Sequence, residues 1–172
     1  MFSPYRCQIC GETYLGGTVP DRCPFCGAHG RYMVGAAEWV KTGKVQMSEQ
    51  SLEDCLKAIE LEVGNVAFYR CAQKNAQTQI TQAIFKRLQK QELEHAELLA
   101  EMAGVPDAQV PEVDCAGNND AENLAQAHMR EQRAIQFYLQ AADRSTEARV
   151  SQVFHALADI EAEHLKISNV YR

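Results

Sequence analysis

The motif Glu92-Leu93-Glu94-His95 recurs as Glu161-Ala162-Glu163-His164, 69 residues further along the chain, and this repeat decides the fold. The same interval holds outward from the motif on both sides. Phe68-Tyr69 matches Phe137-Tyr138, Ala72 matches Ala141, Phe85 matches Phe154, Leu88 matches Leu157, and Glu62 matches Glu131, all without a gap. A repeat of that length, kept in register, reads as two copies of one supersecondary unit related by a pseudo-twofold axis.

Each unit has the period of a helical hairpin. Leu52, Leu56, Ile59, Val63 and Val66 recur at the three- and four-residue steps that line one helix face, and Ile80, Ile84, Leu88, Leu99 and Met102 form a second stripe. Leu124, Ile135 and Ala142 make a third, and Val150, Val153, Leu157 and Ile167 a fourth. Ser48, Thr78, Asn119 (with Glu122 three residues later, as in a capping box) and Ser145 are the expected N-caps, and Gly104 the expected C-cap of the second helix. Helices one and two, and three and four, are joined within a few residues, so each pair forms an antiparallel hairpin. Residues 104–118 make a longer connection with two prolines. A helix of about 25 residues is about 37 Å long, and 15 extended residues reach roughly 50 Å, so this segment can return along the whole bundle. The expected fold is mainly α, a ferritin-like four-helix bundle with one long crossover.

Six polar residues sit on these apolar stripes: Glu62, Glu92, His95, Glu131, Glu161 and His164. Glu-x-x-His on a helix places both side chains on one face, about 60° apart around the axis, where they converge on one point. Four carboxylates facing one another in a core repel and lose their hydration unless they are protonated or neutralised by metal. Two divalent cations balance them, and two imidazoles complete the coordination. Such a set, one Glu from each of two helices and Glu-x-x-His from the other two, is that of di-iron and di-manganese carboxylate bundles. Mixed oxygen and nitrogen donors favour redox-active iron, and zinc would also bind.

The first 42 residues are of another kind, rich in glycine and proline, with short apolar runs broken by turn signals. A β-rich, loop-heavy module of that size needs a staple, and Cys7-x2-Cys10-x12-Cys23-x2-Cys26 provides two thiolate pairs that wrap one tetrahedral ion, iron or zinc. Gly11 and Gly27 follow the knuckles and let backbone N–H groups point at sulfur. The expected division is a metal module over 1–42, a linker over 43–47 and the bundle over 48–172.

The chain has 172 residues, 46% hydrophobic and 23% charged, with a formal charge of -6. That balance excludes a disordered chain, and the missing basic stripe argues against a nucleic-acid partner. No apolar run approaches the ~20 residues of a membrane span, and the N-terminus lacks the pattern of an export signal, so a soluble cytoplasmic protein is expected. In that setting the remaining cysteines, Cys55, Cys71 and Cys115, read as buried or incidental thiols. His128 is expected in the core or beside the ligands, His155 and His29 in solvent, and Trp39 packing the module onto the bundle.

Tyr5-Arg6-Cys7-Gln8-Ile9-Cys10-Gly11 with Cys23-Pro24-Phe25-Cys26-Gly27 is rubredoxin-like, and with the six bundle residues the whole chain resembles the rubrerythrin family in its reverse domain order. The resemblance implies a rubredoxin-like domain on a ferritin-like di-iron bundle, with Cys7, Cys10, Cys23 and Cys26 holding one iron and Glu62, Glu92, His95, Glu131, Glu161 and His164 holding two. It implies reduction of hydrogen peroxide, or of oxygen, with electrons from NAD(P)H through a donor oxidoreductase or rubredoxin. It also implies a homodimer in which one subunit's thiolate iron serves the other's di-iron site. Glu92 and Glu161 would bridge, Glu62 and Glu131 would cap opposite irons, and Tyr69 and Tyr138 would hydrogen-bond ligand carboxylates. Many relatives carry a further Glu where this chain has Ala134, so the site reads as symmetric and zinc or mixed occupancy stays open. Other readings are a ferroxidase or iron-handling protein, and a non-catalytic zinc or iron protein.

Overall fold

The computed structural model describes residues 3–113 and 117–171. Four long helices follow a small three-stranded sheet: α1 Glu49–Lys74, α2 Gln79–Ala103, α3 Asp120–Arg144 and α4 Ala148–Tyr171. Strands β1 (Tyr5–Cys7), β2 (Thr13–Tyr14) and β3 (Met33–Gly35) are antiparallel in the order β2-β1-β3. No helix of the described residues is long and apolar enough to cross a membrane.

The helix starts follow local chemistry. Ser48 accepts from the N–H of Ser51, and Thr78 and Thr81 cap one another reciprocally. Asn119 accepts from Glu122 N, while the Glu122 carboxylate takes the N–H of Asn118 instead of closing the box on Asn119. Gly104, at φ +71°, ends α2 as expected. Ser145 does not start α4. It terminates α3, donating its hydroxyl to the Ala141 carbonyl, and α4 begins at Ala148.

Two hydrogen-bonded ends define the crossover. The N–H of Val45 donates to Met102 at one end of the bundle, and at the other Asp120 accepts from the Thr81 hydroxyl at 2.5 Å and from Gln77 N at 3.0 Å. The connection between α2 and α3 therefore runs the length of the bundle, which gives the ferritin-like topology.

The core is built twice, as the repeat requires. Tyr69 stacks on Phe85 and Tyr138 on Phe154, all four fully buried, and burying each ring stabilises by about 1.5–3 kcal/mol. Three stripe residues depart from expectation: Leu52, Leu56 and Ile80 are exposed. At these helix ends the inward positions belong to Ser51, Asp54 and Thr81, whose polar atoms are satisfied by Glu147, Arg144 and Asp120. A satisfied polar residue can occupy a buried position, which shifts the inner face by one residue from the apolar pattern.

Candidate metal centres

The two duplicated hairpins bring all six expected bundle residues together. Glu62 on α1, Glu92 and His95 on α2, Glu131 on α3, and Glu161 and His164 on α4 are each at most 3% exposed. They form two groups, Glu62-Glu92-His95-Glu161 and Glu92-Glu131-Glu161-His164, each with donor atoms within 4.8 Å of one another. Glu92 and Glu161 belong to both groups. That placement suits carboxylates bridging two ions, with one imidazole and one terminal carboxylate for each.

Local geometry explains the orientation of the imidazoles. His95 turns Nδ1 inward, 3.4 Å from Glu161 Oε1 and 3.6 Å from Glu62 Oε2, while Nε2 lies 2.8 Å from the backbone carbonyl of Cys26. A carbonyl only accepts, so Nε2 carries a proton, and Nδ1 is the nitrogen that faces the cluster and would give its lone pair to a cation there. His164 has the same orientation, Nδ1 facing the cluster 2.9 Å from Glu161 Oε2 and Nε2 3.1 Å from Gln91 Oε1; between two acceptors and without a cation, both nitrogens hold protons. Tyr69 donates to Glu131 and Tyr138 to Glu62, each reaching the carboxylate of the other hairpin.

Among the described residues, six of the eight buried side-chain atoms without a hydrogen-bond partner belong to this cluster: Glu62 Oε2, both oxygens of Glu92, His95 Nδ1, Glu131 Oε2 and Glu161 Oε1. Buried lone pairs without donors are costly, and cations placed among them remove that cost. The protein groups alone respond in the opposite way, by holding protons. Burial and the charge of Glu92 push the Glu62 carboxyl well above the usual carboxylate range, and burial with Glu161 does the same for Glu131. Burial also opposes ionisation of Glu161, but His164 and His95 outweigh it and hold that carboxyl low. Burial disfavours charge on His164, yet Glu161 raises it to about 9. The donor set thus fits a pair of divalent cations.

The cysteine site is as regular. Cys7 Sγ lies 3.8 Å from Cys26 Sγ and Cys10 Sγ 3.8 Å from Cys23 Sγ. A tetrahedron with metal–sulfur bonds of ~2.3 Å has an edge of about 3.8 Å, so the thiolates stand where one ion needs them. Gly11 and Gly27 both have positive φ, +82° and +85°. Their N–H groups donate to the carbonyls of Cys7 and Cys23 and close the turns; the N–H at sulfur is that of Ile9, 3.4 Å from Cys7 Sγ.

The second knuckle rests on the histidine-bearing turns. A Cβ on Gly27 would meet Gln91 Nε2 at 2.9 Å and Ile160 Cγ2 at 3.2 Å, so only glycine permits this approach. Arg22 clamps the module to α4 through Asp159 (2.8 Å) and Glu163 (3.1 Å), Arg87 donates to the Phe25 carbonyl and Arg149 to that of Ile9. Trp39 instead serves its own module, donating to the Cys7 carbonyl beneath the guanidinium of Arg6.

The remaining expectations divide. His128 pairs with Ser168 outside the cluster, and His29 and His155 are exposed. Cys55 is a buried thiol, its pKa pushed up to about 12 by burial and by Asp54 and Glu147. Cys71 is disulfide-bonded, not the thiol expected of it, and Cys115 lies outside the described residues. Ala134 is fully buried and supplies no carboxylate. Gln91 and the Cys26 carbonyl, which orient the two histidines, were not legible beforehand.

A duplicated four-helix bundle around a carboxylate–imidazole cluster, with a four-cysteine module on its flank, defines a ferritin-like metal protein. The family model of rubrerythrin matches residues 55–169, and that of the rubrerythrin rubredoxin-like domain matches residues 5–33. The chain belongs to the rubrerythrin family, with its rubredoxin-like domain first. It is similar to Reverse rubrerythrin-1 of Clostridium acetobutylicum, 28% identical over 112 residues, a match that spans 58% of this chain and 61% of that protein. A solved structure of a hypothetical protein from Pyrococcus furiosus shares the fold with a TM-score of 0.59 and 21% identity, over 72% of this chain and 87% of that one.

Proposed function

We propose that this chain is a non-haem di-iron oxidoreductase that reduces hydrogen peroxide with electrons entering at the cysteine site. In this reading Glu62, Glu92, His95, Glu131, Glu161 and His164 hold two irons, and Cys7, Cys10, Cys23 and Cys26 hold one. Irons held by these residues would supply the two electrons that cleavage of an O–O bond requires, and an iron held by the four cysteines would supply one-electron chemistry to replace them. The electron source is an NAD(P)H-linked oxidoreductase or a rubredoxin, and the setting is cytoplasmic.

The supporting observation is His95. Its Nδ1 faces the carboxylate cluster and its Nε2 lies 2.8 Å from the carbonyl of Cys26, itself a thiolate donor. One imidazole therefore joins both centres inside one chain, which supports electron passage between them. Glu92 and Glu161 hold the shared middle of the cluster. Tyr69 and Tyr138, whose hydroxyls burial keeps protonated, fix the outer carboxylates and exclude water from them.

Ala134 favours a second reading, in which the bundle binds iron or zinc without rapid turnover, because this buried position offers no carboxylate for a ligand exchange. The deciding experiment is anaerobic reduction of natively loaded protein, followed by mixing with hydrogen peroxide while the ferric-thiolate absorbance is recorded. Prompt return of the red chromophore supports peroxide reduction. A chromophore that stays bleached, or a colourless zinc-loaded protein, contradicts it.

A further inference from the structure

We propose that the two ion positions of the bundle are unequal: the one at His95 fills first, and the one at His164 fills last and depends on Gln91. The inference rests on the reading of the bundle as a two-cation site and is independent of the peroxide reading. The duplicated hairpins offer each position the same kinds of donor, an imidazole, a terminal carboxylate and a share of Glu92 and Glu161. What orients the imidazoles is not duplicated. His95 Nε2 lies 2.8 Å from the Cys26 carbonyl, whereas His164 Nε2 lies 3.1 Å from Gln91 Oε1. Position 160, the counterpart of Gln91 across the repeat, is an isoleucine, whose side chain accepts nothing.

The Cys26-Gly27 knuckle is the origin of the difference. It lies over both equivalent positions at once, since a Cβ at Gly27 would stand 2.9 Å from Gln91 Nε2 and 3.2 Å from Ile160 Cγ2. One module seated on a twofold-repeated bundle hands the Cys26 carbonyl to one histidine only. An imidazole that binds a cation through Nδ1 keeps its proton on Nε2, and that N–H needs an acceptor. For His95 the acceptor is buried backbone, in a turn already closed by the bond from Gly27 N to the Cys23 carbonyl. For His164 it is the end of a half-buried side chain. Holding that side chain in one rotamer costs entropy that a backbone carbonyl has already lost on folding. Gln91 is thus the positioning residue of the His164 half, kept near the ring by the amide's contact with Gly27.

Titration of the full chain with Co(II), continued past the equivalent that the four cysteines take up with a thiolate charge-transfer band, tests this. Each imidazole that ligates Co(II) through Nδ1 contributes one paramagnetically shifted, exchangeable ring N–H to the proton NMR spectrum. The first bundle equivalent should bring up one such signal and the second the other. Gln91→Met keeps length and packing beside Gly27 but removes the amide acceptor, and is expected to weaken the second equivalent by about 10- to 100-fold and the first far less. Gln91→Glu restores an acceptor, so tight binding of the second equivalent should persist, with only the later signal displaced by the stronger bond. Two signals rising together in the wild type, or a response to Gln91→Glu in the earlier signal, overturns the proposal. An unchanged second equivalent in Gln91→Met also overturns it while the two-cation reading stands. A wild type that takes up no Co(II) beyond the cysteine site sinks both.

Discussion

Tyr138 of α3 donates its hydroxyl to the carboxylate of Glu62 on α1, in the opposite hairpin, and Tyr69 returns the same bond to Glu131. The duplicated bundle is thus cross-tied at its centre by two equivalent phenols. Tyr138→Phe and Tyr69→Phe each remove one donor without changing packing. Metal affinity of the bundle should fall by about 10- to 100-fold in either, read by competition between the protein and a chromophoric chelator for Co(II). Unchanged affinity in both variants would show that the phenols do not orient the ligands.

Arg144 forms a two-pronged bond to Asp54, 2.6 Å to each oxygen, with the Asp54 side chain only 1% exposed. Removing Arg144 strands a buried carboxylate, which costs more than a surface ion pair is worth, although Arg144 itself is 38% exposed and partly screened. Arg144→Ala should lower unfolding free energy by about 1–3 kcal/mol in a denaturant titration. A change below about 0.5 kcal/mol would mean that water reaches Asp54 and takes over the role.

Glu147 ties the start of α4 to that of α1 and supplies the pH dependence. The Ser51 hydroxyl, donating at 2.5 Å, and the Ser48 N–H at 2.5 Å hold its carboxyl down from 4.5 to about 2. A depressed folded-state pKa gives stability that is complete above about 4.5 and lost as pH falls toward 2. Glu147→Gln should therefore melt below the wild type at pH 6, with a gap that narrows as pH drops to about 3. A gap of constant size would refute this source.

Loss of the thiolate ion should act locally. The sheet of the cysteine module is only three short strands, too small to stand without its staple, whereas the bundle has its own core. Cys7→Ser with Cys23→Ser should remove protection from amide exchange over the module while the helical circular dichroism persists. Collapse of the helical signal as well would show that the bundle depends on the module.

The sequence displayed the site more fully than its surroundings, for a physical reason. The cluster consists of side chains repeated at one interval, so Glu62, Glu92, His95, Glu131, Glu161 and His164 announce one another. What orients the histidines does not repeat: His95 uses a backbone carbonyl, which no residue type encodes, and His164 uses Gln91, whose counterpart in the second hairpin is Ile160. The misplacement of Leu52, Leu56 and Ile80 has a common origin. At helix ends, bonds such as Ser51 to Glu147 and Thr81 to Asp120 carry polar residues inward, against the apolar period.

Metal analysis of natively produced protein, joined to anomalous diffraction at the iron edge, bears on the centre of the account. Two ions should appear within the bundle, both in contact with Glu92 and Glu161, and a third among Cys7, Cys10, Cys23 and Cys26. A single ion per chain, confined to the four thiolates with the bundle carboxyls holding only protons, would contradict it.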